Sequence, residues 1–114
     1  MAFTVVEYVR EDDSSPYRRW FDRLHPQAAT KVATARARLE FGNTSNVKRI
    51  GAIAEYRIDW GPGYRIYLAF EGDTLIILLG GGTKKGQRSD IRRAQGLFEE
   101  YRARKALMSD PRER

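Results

Sequence analysis

The chain has no cysteine and a single histidine, His25, so disulfides, thiolate metal sites and a zinc cluster are excluded from the outset. No metal and no cofactor is expected. Long apolar runs are also missing. The longest spans residues 75–79, far too short to cross a bilayer, and no basic region leading into a long apolar core opens the chain. The expectation is a cytoplasmic protein without a membrane segment. Proline occurs only four times, and Pro16, Pro26 and Pro62 each fall where a helix starts or a chain turns.

What is present suits one compact core. With 114 residues and 41% hydrophobic content, the chain is expected to form a single domain over residues 1–105, followed by a disordered polar tail over 106–114. Lys and Arg number 21 against 15 Asp and Glu, a net charge of +6 that favours a polyanionic partner such as nucleic acid. Charge alone does not decide this, because many small domains carry excess charge for solubility.

Residues 3–9 are rich in β-branched and aromatic side chains and predict a first strand. Ser15 followed by Pro16 is a helix start, and Tyr17, Trp20, Phe21 and Leu24 recur at helical spacing. His25 and Pro26 end that helix, which leaves His25 as a local cap or surface residue rather than a catalyst. Ala28, Val32, Ala35 and Leu39 then describe one face of a longer helix, closed by Gly42, and the two helices are expected to pack as a hairpin over a sheet.

Strands follow. Tyr56, Ile58 and Trp60 alternate with Glu55, Arg57 and Asp59, while Tyr64, Ile66, Leu68 and Phe70 alternate with Arg65, Tyr67 and Ala69. Matching the apolar faces requires an odd number of loop residues, which Gly61-Pro62-Gly63 supplies. That register sets Asp59 opposite Arg65 and Arg57 opposite Tyr67. Residues 74–79 predict an interior strand, and residues 80–88 a Gly-rich, lysine-bearing loop leading to a last helix over residues 90–105.

This order, with Glu55-Tyr56-Arg57-Ile58, Gly61-Pro62-Gly63-Tyr64-Arg65-Ile66-Tyr67, Leu78-Leu79-Gly80-Gly81-Gly82, Lys84, Gln87 and Asp90-Ile91, resembles the RelE/ParE superfamily of toxins from type II toxin-antitoxin modules. The nearest pattern is that of the HigB-like addiction module killer proteins. The resemblance covers roughly residues 3–101 and implies an α+β, RelE-like fold: a mainly antiparallel sheet covered by an N-terminal helical hairpin, with a C-terminal helix. The chain departs from the pattern at Thr83, where an acidic residue is usual, and at Lys85-Gly86, which makes the loop more basic.

The resemblance implies a metal-independent, ribosome-dependent endoribonuclease that cleaves mRNA and inhibits translation. Its partners would be the ribosome, mRNA and a cognate antitoxin, expected to be a helix-turn-helix DNA-binding protein. Arg57, Arg65 and Lys84 become the candidate catalytic residues, because guanidinium and ammonium groups match a phosphate and hold the charge it gains during attack by a ribose 2′-OH. Lys48, Arg49, Tyr67, Lys85, Gln87 and Arg88 become candidate nucleic-acid contacts, Tyr67 by stacking on a base or orienting a proton. Taken singly, an arginine on a polar strand face is more often solvated or ion-paired, as Asp59 opposite Arg65 would illustrate. Two other functions fit the same resemblance or charge: a ParE-like, non-enzymatic inhibitor of DNA gyrase, and a non-catalytic RNA-binding module.

Overall fold

The alternating residues of the hairpin become the middle of a mixed sheet. The computed structural model describes residues 2–109, in which β1 (Thr4–Glu7), α1 (Pro16–Phe21), α2 (Pro26–Glu40), β2 (Val47–Ile50), β3 (Ile53–Ile58), β4 (Tyr64–Glu71), β5 (Leu75–Thr83) and α3 (Gln87–Ser109) follow one another. A single 3₁₀ turn, Lys84–Gly86, joins β5 to α3. The five strands lie in the order β1-β5-β4-β3-β2, with β1 parallel to β5 and the other pairs antiparallel. The fold is therefore α+β, and no helix among the described residues is long and apolar enough to cross a membrane.

Local chemistry sets the helix starts as expected. The Ser15 hydroxyl accepts the Arg18 amide at 3.0 Å, with Pro16 at the first helical position, where no amide donor is needed. His25 caps the following helix, its Nδ1 accepting the Ala28 amide at 3.3 Å. Both helices lie on one face of the sheet, where Tyr17 and the α2 stripe Ala28, Val32, Ala35 and Leu39 share a core with Tyr56, Ile58, Tyr64, Ile66 and Leu68. Instead of pairing chiefly with each other as a hairpin, the helices take separate strands: α1 lies against β5, α2 against β1 and β3.

The second face is not open. Ala94, Leu97 and Phe98 of α3 pack there on Tyr67, Ala69, Ile77 and Leu79. Buried contacts of this size contribute on the order of 1.5–3 kcal/mol for each large side chain, so α3 holds its place by its apolar stripe. Polar anchors fix its rotation: Glu100 receives Arg10 at 2.9 Å and the Tyr8 hydroxyl, while Glu71 receives Tyr101 at 2.8 Å and Lys105 at 2.9 Å.

Several expectations require correction. The hairpin loop holds five residues, 59–63, so the ladder pairs Arg57 with Arg65, Glu55 with Tyr67 and Ile58 with Tyr64. Parity was right and the faces are kept, yet Asp59 leaves the ladder and does not face Arg65. The tight part is a turn closed by the Gly63 amide on the Trp60 carbonyl at 3.2 Å, with Gly61 at φ 57° and Gly63 at φ 76°, a backbone region that favours glycine. Residues 80–83 are not a loop but the end of β5, because their backbones pair with β4 whatever side chains they carry. A short edge strand, β2, was not foreseen, since its Lys-Arg centre hides any alternation. Finally, residues 106–109 continue α3 rather than forming a tail, and residues 110–114 lie outside the described residues.

The glycines of β5 are there for space. A Cβ at Gly81 would stand 2.4 Å from two ring carbons of Trp20, and one at Gly82 would stand 2.0 Å from an Asp90 carboxylate oxygen. Gly81→Ala is expected to lower the unfolding free energy by about 1–3 kcal/mol through overpacking against the indole. Gly96→Ala, at a helical position with open space around it, is expected to raise it by about 0.5–1 kcal/mol. Urea midpoints of the two variants measure both signs.

Candidate functional site

The ladder brings Arg57 and Arg65 directly opposite each other on the face shared with α3, and Arg65 in turn faces Gly82 of β5. Between Leu78 and Gly80 the β4–β5 register slips by one, leaving Leu79 as a bulge. From there the alternation carries Gly80 and Gly82 to the α3 side and Gly81 to the α1 side, as their contacts with Asp90 and Trp20 require. One step beyond the ladder, Lys84 comes level with Gly63. A Cβ on Gly63 would stand 3.3 Å from the Lys84 Cβ and 3.8 Å from Arg65 Nη1. The three proposed cationic residues therefore meet at the hairpin tip, and the absence of a side chain at Gly63 keeps the approach to Arg65 clear.

Burial distinguishes them. Arg57 and Lys84 are exposed, whereas Arg65 is 9% exposed, with Nε sealed from solvent and without a hydrogen-bond partner. Among the described residues Arg65 makes no ion pair. A buried, unpaired cation is costly, and such an arrangement calls for an anion from outside.

Glu55, quoted in the sequence only as part of a motif, proves central. It is fully buried, receives Arg57 Nε at 2.8 Å, and receives the Gln87 amide at 3.1 and 2.9 Å on its two oxygens. The carboxylate thereby aims Arg57 and ties the first residue of α3 to β3. Both its oxygens are engaged, which makes it a positioning residue. Gln87 is thus occupied within the protein rather than turned to a ligand. Asp90, packed on the Gly82 and Gly86 backbones, is the other unforeseen acid, and Arg93 donates to it at 3.1 Å.

Tyr67 lies directly opposite Glu55 with its ring 1% exposed, so it has no face to offer a base, and the stacking expectation is corrected by its burial under α3. Its hydroxyl is sealed and unpartnered. Burial first, then the nearby charges of Glu55 and Asp90, push its pKa up to about 12 against the pull of Arg65. It is a proton donor throughout the neutral range.

The peripheral candidates separate. Lys48 stands opposite Glu55 on the site face and lines a groove with Arg57, but Arg49 points to the other face, its guanidinium 4.5 Å over the Phe70 ring. Lys85 and Arg88 are exposed beside the 3₁₀ turn. Along α3, three basic side chains are engaged within the protein: Arg93 on Asp90, Arg104 on the Val9 carbonyl at 2.8 Å and Lys105 on Glu71. Among the described residues no group of three or more His, Asp or Glu is placed to hold a metal ion.

The fold and site define an α+β protein with a cationic cluster at one hairpin tip. No family model matches the chain. It is 41% identical over 83 residues to an uncharacterized protein of Haemophilus influenzae, the match covering 71% of this chain and 84% of that one. The chain belongs to the same family as that Haemophilus protein. The relative's description assigns no activity, so the functional argument rests on the site.

A pH dependence follows from Tyr67. Its folded pKa lies above the unfolded value of about 10, so its contribution to stability is complete below pH 10 and is lost as pH rises towards 12. Tyr67→Phe removes both this alkaline loss and an unsatisfied buried hydroxyl. Thermal melts are expected to show the variant at least as stable as the parent at pH 7, by up to about 1 kcal/mol, with a shallower decline above pH 10.

Proposed function

We propose that the protein is the toxin of a type II toxin-antitoxin module, with a RelE-like fold of the HigB-like kind, and that it cleaves mRNA on the ribosome without a metal. The observation that carries this reading is Arg65, a buried cation with no protein counter-charge, flanked at the hairpin tip by exposed Arg57 and Lys84. A phosphodiester supplies the missing anion. Attack by a 2′-OH adds negative charge at that phosphate, and fixed donors that need no reorganisation favour the transition state over the ground state. Arg65 and Arg57 would clamp the non-bridging oxygens, while Lys84 would serve as a third clamp or as a proton donor to the departing oxygen. Lys48, beside Arg57, would hold a neighbouring backbone phosphate in a salt-dependent contact.

The same reading includes a cytoplasmic location and a helix-turn-helix antitoxin. An RNA-binding module needs charge but not a buried arginine without an ion pair, and for that reason cleavage is favoured over simple binding.

Arg65→Met tests the assignment. Removing one preorganised charge is expected to reduce mRNA cleavage on translating ribosomes roughly a hundredfold, about 3 kcal/mol of transition-state stabilisation. The unfolding free energy should stay level or rise, because an unpaired buried charge has been removed. Loss of the cooperative melt would instead make Arg65 structural. Cleavage by the parent protein is expected to persist in EDTA. Gyrase-linked DNA breaks without RNA cleavage would replace this reading with the ParE-like one.

A further inference from the structure

A second cavity, of about 370 Å³, lies on the far side of Tyr67 and Asp90 from the hairpin tip. It exists because β5 outruns β1. The parallel pairing stops at Glu7 and Leu78, so from residue 79 onward no strand covers that edge of β5, and α1 and α3 form the walls instead. Arg10, Arg19, Arg23 and Arg93 line it against one acid, Asp90. Arg10 and Arg93 are held by Glu100 and Asp90, whereas Arg19 and Arg23 have no ion pair among the described residues. Trp20, Leu79 and Leu97 give the same cavity an apolar side. Tyr67 also belongs to its lining, with its hydroxyl sealed within the protein.

We propose that this cavity binds a nucleotide unit, its phosphate held by Arg19 and Arg23 and its base lodged against Trp20 and Leu97. The volume lies within the range of small-ligand pockets, an apolar wall with a few convergent polar groups is what a base requires, and guanidinium groups suit the phosphate. Gly80 and Gly81 bring backbone to the cavity without side chains in the way. The source of the nucleotide rests on the proposed function: Tyr67 and Arg65 lie two residues apart on one face of β4, so a strand whose scissile phosphate sits at Arg65 would place an adjoining nucleotide here. The chemistry of the cavity itself does not depend on cleavage.

The test is a titration of the full-length protein with AMP, adenosine and inorganic phosphate in separate experiments, followed by NMR at the Gly80 and Gly81 amides and the Trp20 indole. AMP is expected to shift all three signals, with adenosine and phosphate each at least about tenfold weaker. The double variant Arg19→Glu, Arg23→Glu should weaken AMP by more than about tenfold. Both arginines are exposed, so an unchanged melt is expected to accompany that loss. Phosphate binding as tightly as AMP would overturn the nucleotide assignment, and unshifted signals, or an AMP affinity indifferent to charge reversal, would overturn the site. No ribosome or cleavable strand is present in the titration. Intact AMP shifts without mRNA cleavage would therefore remove the nuclease reading and keep the cavity, while cleavage without AMP shifts would do the reverse.

Discussion

The single extra residue at Leu79 governs this molecule. Before it, Ile76 and Leu78 face α1 and α2 while Ile77 and Leu79 face α3. After it the assignment is offset by one, so that Gly82 rather than Gly81 lies beside Arg65 and leaves room for the Asp90 side chain. Without the bulge, a β-strand's period of two would send Lys84 to the opposite side of the sheet from Arg65. The glycines make the slip tolerable, since on both faces the neighbouring side chain occupies the place where a Cβ would stand.

Around that geometry the protein arranges its charges unequally. Glu7 is held by Arg18 and Arg36, Glu100 by Arg10, and Glu71 by Lys105. These pairs lie at or near the surface, where each contributes little. Arg65 is the contrast: buried on the sheet face that also carries Glu55, whose oxygens are already committed to Arg57 and Gln87, and near Tyr67, which stays neutral. Stability would be better served by an apolar side chain at that position. A buried arginine without an ion pair is the kind of feature that marks functional sites, and here it lies between the hairpin tip and the cavity behind Tyr67.

Much of the architecture was legible from local signals. The Ser15-Pro16 start, the α2 stripe and the in-out alternation of β3 and β4 depend on capping, periodicity and parity, all of which operate over a few residues. The loop length was less secure, because three or five residues satisfy the same parity and only the turn around Gly61 and Gly63 decides between them. The run Gly80-Gly81-Gly82 reads as a loop by composition, yet it is a strand by virtue of backbone pairing that composition does not record. Of the candidate residues, the structure brings Arg57, Arg65 and Lys84 together, while the places of Glu55 and Asp90 beside them were not foreseen. An acid in a β-alternation looks solvent-facing until a helix is laid over it, although the spacing Glu55, Arg57 on one strand face was a signal for their pairing.

By itself the sequence determined the absence of thiol chemistry, the helix caps, the strand faces and the gathering of Arg57 and Arg65 on one polar side, since each follows from residue identity and short-range geometry. Only the tertiary structure decided that α3 covers that side, that Arg65 and Tyr67 are buried while Arg57 and Lys84 are not, and that an arginine-lined cavity opens where β5 passes the end of β1. Those outcomes depend on contacts between residues far apart in the chain, and burial, the property that separates Arg65 from the exposed arginines, is a sum over all of them.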